Sequence, residues 1–282
     1  MGKLKRTLLS SLIKKFVMAI TGFVLASFLL VHMLGNLQML EGGPNAINAY
    51  ANFLQTLPWE FLWGFRIVLA ACFVLHFLTA FLLVVENRNA RPQAYAVKKS
   101  LASSPAARTM IYSGIIILLF AIVHIMHYTV INLNPELKEL DWVATSGMYE
   151  GKTIHDVYAM MIVAFSNDWV AIAYIVSMIL IGFHLSHGVS SMFQSVGMRD
   201  EKWRYRLNAI AVIYCTIVAA GFSLNPLSVL LSKYTPCQIL PQKEVMKQFD
   251  AQKAQNKTPI FIDYNFLKNC KTCSSTAPVK AK

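Results

Sequence analysis

Five stretches of this 282-residue sequence are each long and apolar enough to cross a bilayer as a helix. They cover about 16–39, 60–85, 109–132, 169–193 and 207–231. A hydrocarbon core of roughly 30 Å takes about 20 helical residues, so each run suffices for one span. The expected fold class is therefore all-α: an integral membrane bundle of five transmembrane helices over residues 1–232, followed by a polar tail over 233–282. Composition agrees, with 56% hydrophobic and 14% charged residues, where a soluble domain carries about 25% charged.

Turn residues and charges bound every run. Lys14 and Lys15 precede the first, and Glu41-Gly42-Gly43-Pro44 follows it. Pro58 opens the second and Glu86-Asn87-Arg88 closes it. The basic N-terminus resembles a secretion signal, but its apolar run is longer than a signal's 7–15 residues, so cleavage is not expected. Lysine and arginine counts set the orientation. Residues 1–15 carry five bases and no acid, 86–108 five bases and one acid, and 199–206 four bases and two acids. Segment 40–60 has two acids and no base, and 132–168 has six acids against two bases. The first group is expected in the cytoplasm and the second outside, which leaves the C-terminal tail external. The tail breaks the bias with nine lysines against three acids, as long translocated segments can. The net charge of +12 thus reads as topology, and no nucleic-acid partner is expected.

Six of the seven histidines lie in the apolar runs: His32, His76, His124, His127, His184 and His187. Ionisable residues inside spans are rare and mark function. Four helices carry one each at depth. At 1.5 Å per residue, His32 and His124 lie roughly 10–12 Å below the outer boundary, and His76 and His184 roughly 13 Å above the inner one. They sort into two level-matched pairs, each joining two helices. Two imidazoles facing each other from separate helices are what a low-spin haem b requires. Zinc wants three or four clustered ligands, and no cysteine or carboxylate sits at these depths. The chain is expected to hold two haem b groups, with His32 and His124 on the outer iron and His76 and His184 on the inner one.

Small residues near these positions, Gly22, Ala26, Gly114, Gly182 and Gly188, serve either a flat ring or ordinary helix packing. His127 and His187, three residues after ligands, share roughly their helix face and are expected to play polar supporting roles. Arg66 lies near the level of His32 and suits a haem propionate or snorkels to the surface. Tyr50, Trp59 and Trp63 read as interface anchors.

With these residues in place, the chain resembles the single-polypeptide, two-haem cytochrome b membrane anchor of the succinate dehydrogenase and quinol:fumarate reductase family. The resemblance covers roughly residues 5–232. It rests on Val31-His32-Met33-Leu34-Gly35-Asn36, Leu57-Pro58, Leu75-His76, Gly114-Ile115-Ile116 ahead of His124, and Phe183-His184-Leu185-Ser186-His187-Gly188 with Ser191, Phe193 and Gln194. It implies a bacterial inner membrane location, flavoprotein and iron–sulfur partner subunits, and menaquinone as the quinone exchanging electrons with the outer haem. It also implies an acid near the outer end of helix 2 at the quinone site, where Glu60 stands, with Asn36, Glu41 and Trp59 at neighbouring levels. The sequence departs from the family in two ways. Where some fumarate reductases carry a glutamate two residues before the fourth ligand, this chain has Gly182. Its tail is also long, and two of Cys237, Cys270 and Cys273 could pair in an oxidising compartment.

Two other readings compete. A di-haem subunit of a hydrogenase or formate dehydrogenase would share the haems and dock another enzyme. A histidine-relay transporter would hold none. The resemblance implies that the dicarboxylate chemistry belongs to a separate flavoprotein, which fits the lack of a Gly-rich nucleotide loop and of a cysteine cluster in this sequence. Replacing Glu60 with Gln is expected to leave both haems in place and lower quinone turnover about 100-fold, measured as succinate:menaquinone activity; unchanged turnover removes Glu60 from the site.

Overall fold

A computed structural model describes residues 10–90, 104–198, 200–235 and 239–268. Cys237, Cys270 and Cys273, and the pairing expected among them, lie outside the described residues. The described chain is mostly helical, and five helices are long and apolar enough to cross a membrane. Spanning helix α1 is Ser11–Leu37 and a shorter helix α2 is Pro44–Gln55. Spans α3 (Trp59–Asn89) and α4 (Met110–Tyr128) follow. Next come a short buried helix α5 (Val157–Phe165) and spans α6 (Asp168–Ser195) and α7 (Glu201–Tyr234). Helix α8 is Gln242–Ala254.

Local chemistry sets the ends. In hydrocarbon a helix must satisfy its own backbone groups, so polar caps gather at the boundaries. Ser10 Oγ accepts from Ile13 N, Asn167 Oδ1 from Trp169 N, and Asp200 Oδ1 from Trp203 N at 2.7 Å. Helix α6 stops at Gly197, whose φ of +78° suits glycine, and Met198 N reaches back to Phe193 O. Pro58 fixes the entry to helix α3, and its carbonyl accepts from Phe61 N and Leu62 N. Apolar side chains such as Phe61, Ile67, Val212 and Ile213 are well exposed, which suits contact with lipid rather than water.

The chain divides into two compact bodies. The first comprises Met1–His32, Pro58–Ala121 and Ser177–Ala220; the second comprises Met33–Leu57, Ile122–Val176 and Gly221–Lys282. In the first, Lys14 pairs with Glu86, joining the start of α1 to the end of α3. Tyr214 on α7 donates to the Ala26 carbonyl on α1, and Ser190 on α6 donates to Asn208 on α7 at 2.6 Å.

The second body contains structure that the polar reading of 132–168 and of the tail did not anticipate. Strand β1 (Leu140–Val143) pairs antiparallel with β2 (Thr153–His155) and parallel with β3 (Ile260–Phe261), in the order β2-β1-β3. So the tail adds a strand to the segment between α4 and α6. Helix α5 has nine residues and is buried almost throughout, including Tyr158, Met160, Met161 and Ile162. It is too short to span a membrane. Its apolar character serves a packed core shared with Leu137, Leu140, Val245, Phe249 and Ile260.

A polar knot holds that core. Asp156 is fully buried and caps α5 by accepting from Ala159 N at 3.0 Å. The same carboxylate accepts from Asn48 Nδ2 on α2 at 3.0 Å and from the Tyr264 hydroxyl of the tail at 2.7 Å. Asn48 Oδ1 in turn accepts from Tyr158 N at 2.9 Å. Burial pushes the Asp156 carboxyl above its ordinary range, and the three donors pull it back in part. Lys233 of α7 bridges Asp168 at 2.6 Å and the Ser166 carbonyl at 3.1 Å, and Gln242 donates to Ser166 Oγ at 2.9 Å. Replacing Asp156 with Ala strands three buried donors at about 1–3 kcal/mol each. The expected result is selective proteolysis of 239–268 at protease levels that spare the wild type. Asp156→Asn, which keeps one oxygen and is uncharged as burial prefers, is expected to cost less in the same assay.

Candidate functional site

Two of the histidines singled out by sequence, His76 on α3 and His184 on α6, belong to the first body. Each is held the same way, by a hydroxyl residue immediately before a glycine on a neighbouring helix.

For His76 the partner is Thr21-Gly22 on α1. The His76 Nδ1 atom is 3.1 Å from the Met18 carbonyl and 3.2 Å from Thr21 Oγ1. A carbonyl only accepts, so Nδ1 must carry the proton. The Thr21 hydroxyl proton is committed to the Val17 carbonyl at 2.7 Å, so Thr21 also acts toward His76 as an acceptor. For His184 the partner is Ser113-Gly114 on α4. Ser113 Oγ donates to the Met110 carbonyl at 3.1 Å and lies 3.0 Å from His184 Nδ1. Ser113 thus faces His184 Nδ1 as Thr21 faces His76 Nδ1. The Met18 carbonyl assigns His76 the tautomer with Nδ1 protonated and an unprotonated Nε2, which is the form that binds a metal.

The glycines next to these hydroxyls make room. A Cβ at Gly22 would meet His76 Cε1 at 3.1 Å, and one at Gly114 would meet His184 Cε1 at 3.7 Å. The other small residues do different work. A Cβ at Gly182 would come within 3.1 Å of Ala219 Cβ, so that position lets α6 and α7 approach. Gly188 meets nothing within 4 Å, and Ala26 serves the Tyr214 contact. Thr21 and Ser113 escaped the sequence reading. The signal was there: a hydroxyl residue precedes each of two glycines already noted, on two different helices.

The residues of the expected outer pair fall in different bodies, His32 in the first and His124 in the second. Phe28 stacks on His32, one turn away, with ring centroids 5.2 Å apart and planes 14° apart. His124 Nδ1 lies 3.4 Å from the Tyr174 hydroxyl. That hydroxyl is also 3.2 Å from Nδ1 of His127, which is buried. Arg66 is exposed with its guanidinium over the Trp63 ring at 5.3 Å, and Glu60 is exposed in the first turn of α3. Trp59 is 70% exposed, as an interface residue would be. Tyr50 instead packs on Gly35, where a Cβ would come within 2.5 Å of its ring.

The donor chemistry fits haem b at the His76 and His184 site. Two imidazoles on separate helices each have Nδ1 on a polar partner, and glycines sit beside both rings. Among the described residues, no three His, Cys, Asp or Glu side chains gather as a metal-binding group. Comparison with protein-family models, curated proteins and solved structures found no match. Replacing Thr21 with Val and Ser113 with Ala together removes the hydroxyl partner of each ring and leaves His76 only the Met18 carbonyl. Losses of an outer-shell partner run about 10–100-fold in affinity. The double variant is expected to lose haem from one site on dilution while the other site stays filled, read by reduced-minus-oxidised spectra.

Proposed function

We propose that this chain is the two-haem membrane anchor and electron-transfer subunit of a bacterial succinate:quinone oxidoreductase. The observation that carries the reading is the matched setting of His76 and His184, each with Nδ1 on a hydroxyl residue of a neighbouring helix and its ring beside the glycine that follows. Buried imidazoles in spans are costly, and a pair prepared identically for a flat metal macrocycle accounts for that cost. The order of one ligand per helix on the first four spans, with the motifs around them, directs the reading to this family.

In this reading His76 and His184 hold one haem near the cytoplasmic boundary, and His32 and His124 hold the second near the outer boundary. Haem b, when bound, supplies reversible one-electron chemistry. The chain's own residues fix the rings, exclude water and set the ligand basicity through Nδ1. The iron–sulfur subunit docks on the cytoplasmic side, where the loops are basic, and the flavoprotein carries the dicarboxylate reaction. Menaquinone reacts near the outer end of α3, with Glu60 as the proton acceptor and Arg66 as a propionate counter-ion. The N-terminus lies in the cytoplasm of a bacterium and the tail outside its inner membrane. Gly182, filled by Ala219, leaves no place for a proton-carrying glutamate two residues before His184.

The test is haem stoichiometry in the purified complex. Two b haems per chain are expected by pyridine haemochrome. Replacing His76 with Ala is expected to remove one haem and reduce succinate-dependent quinone reduction to background, while dye-linked succinate oxidation persists. A well-folded preparation without haem, or quinone turnover that survives the loss of His76, overturns the proposal.

A further inference from the structure

Tyr174 stands where α6 begins, within one body, between two histidines of α4. Its hydroxyl lies 3.2 Å from His127 Nδ1 and 3.4 Å from His124 Nδ1. The two histidines are three residues apart, on one helix face. Sequence alone put His124 on the metal and gave His127 a polar supporting role, without a partner for either.

The geometry of the hydroxyl answers this. A phenol has one proton and can donate to only one imidazole. The other imidazole must bring its own proton to the oxygen, and an imidazole that donates from Nδ1 has a bare Nε2. The shorter contact is to His127, which is 4% exposed and flanked by Tyr128 with ring centroids 4.3 Å apart. Surrounding rings hold Tyr174 in this pose. Phe165 lies edge-on at 5.2 Å and Tyr128 edge-on at 5.8 Å.

We propose that Tyr174 is a positioning residue that selects the metal ligand of this helix: it donates to His127 Nδ1 and accepts from His124 Nδ1–H. His124 then presents a bare Nε2 to iron. His127 carries its proton on Nε2 and cannot ligate. A single hydroxyl thereby gives two neighbouring histidines different duties. The proposal rests on the haem reading given above for His124.

A second feature belongs to the same cluster. The Tyr128 hydroxyl is buried and has no hydrogen-bond partner among the described residues. It sits one turn after His124, with ring centroids 5.7 Å apart. A buried orphan donor is costly, and an anionic oxygen of a bound haem would satisfy it.

The experiment uses the purified complex and follows both haems by optical redox titration. An Nδ1–H that donates to an oxygen makes its imidazole a stronger donor to iron. Tyr174→Phe removes that acceptor. The expected result is a shift of one haem's midpoint potential to a more positive value, with the other haem unmoved. Should Tyr174→Phe fail to assemble, His127→Leu keeps the Tyr174 hydroxyl and is expected to retain both haems, whereas His124→Leu loses one. Two unchanged potentials in Tyr174→Phe, or loss of a haem in His127→Leu with none lost in His124→Leu, overturns the selector. A wild-type complex lacking haem instead defeats the underlying functional reading.

Discussion

An imidazole N–H inside a membrane span has no water to donate to, and this constraint organises the chain's chemistry. The spanning backbone has used its own carbonyls to make helices. Polar contacts to the buried rings come from oxygens that remain: the Met18 carbonyl and Thr21 for His76, Ser113 for His184, and Tyr174 for His124 and His127. Every one of these oxygens approaches Nδ1. For His76, whose Nδ1 proton goes to a carbonyl, satisfying the polar cost of burial and leaving Nε2 unprotonated are the same act.

Serine and threonine are suited to this task because of a helix habit. Their hydroxyls bond back to a carbonyl three or four residues earlier, as Thr21 does to Val17 and Ser113 to Met110. That bond holds the hydroxyl in place on the helix and leaves the oxygen within reach of a ring on a neighbouring helix. The adjoining glycine removes the Cβ that would crowd the ring.

At the other extreme stands the polar knot of Asp156, Asn48, Tyr158 and Tyr264. It joins α2, α5 and the tail into one core outside the spans. A core assembled from three segments far apart in sequence is specified well by a buried carboxylate with several donors, since any other register would leave those groups unpaired. The tail is thus part of a folded unit with the segment between α4 and α6, through β3 on β1 and α8 over α5.

The sequence by itself determined the number and near-extent of the spans, because hydrophobic length against bilayer thickness is a one-dimensional property. The expected span 207–231 lies inside the longer α7, Glu201–Tyr234, because helix geometry continues past the apolar run into capped polar turns. Histidines in four separate apolar runs were equally legible, since their rarity needs no coordinates. The tertiary structure alone decided which oxygen meets which nitrogen. Thr21 precedes His76 by 55 residues, and Tyr174 follows His124 by 50, so no local pattern joins them. It also decided that Gly22 and Gly114 face imidazoles while Gly182 faces a helix. The same residue type serves a ring or a backbone according to what the fold sets against it. The tail's strand was invisible for the same reason: a two-residue strand has no periodicity of its own, and only its pairing with β1 makes it one.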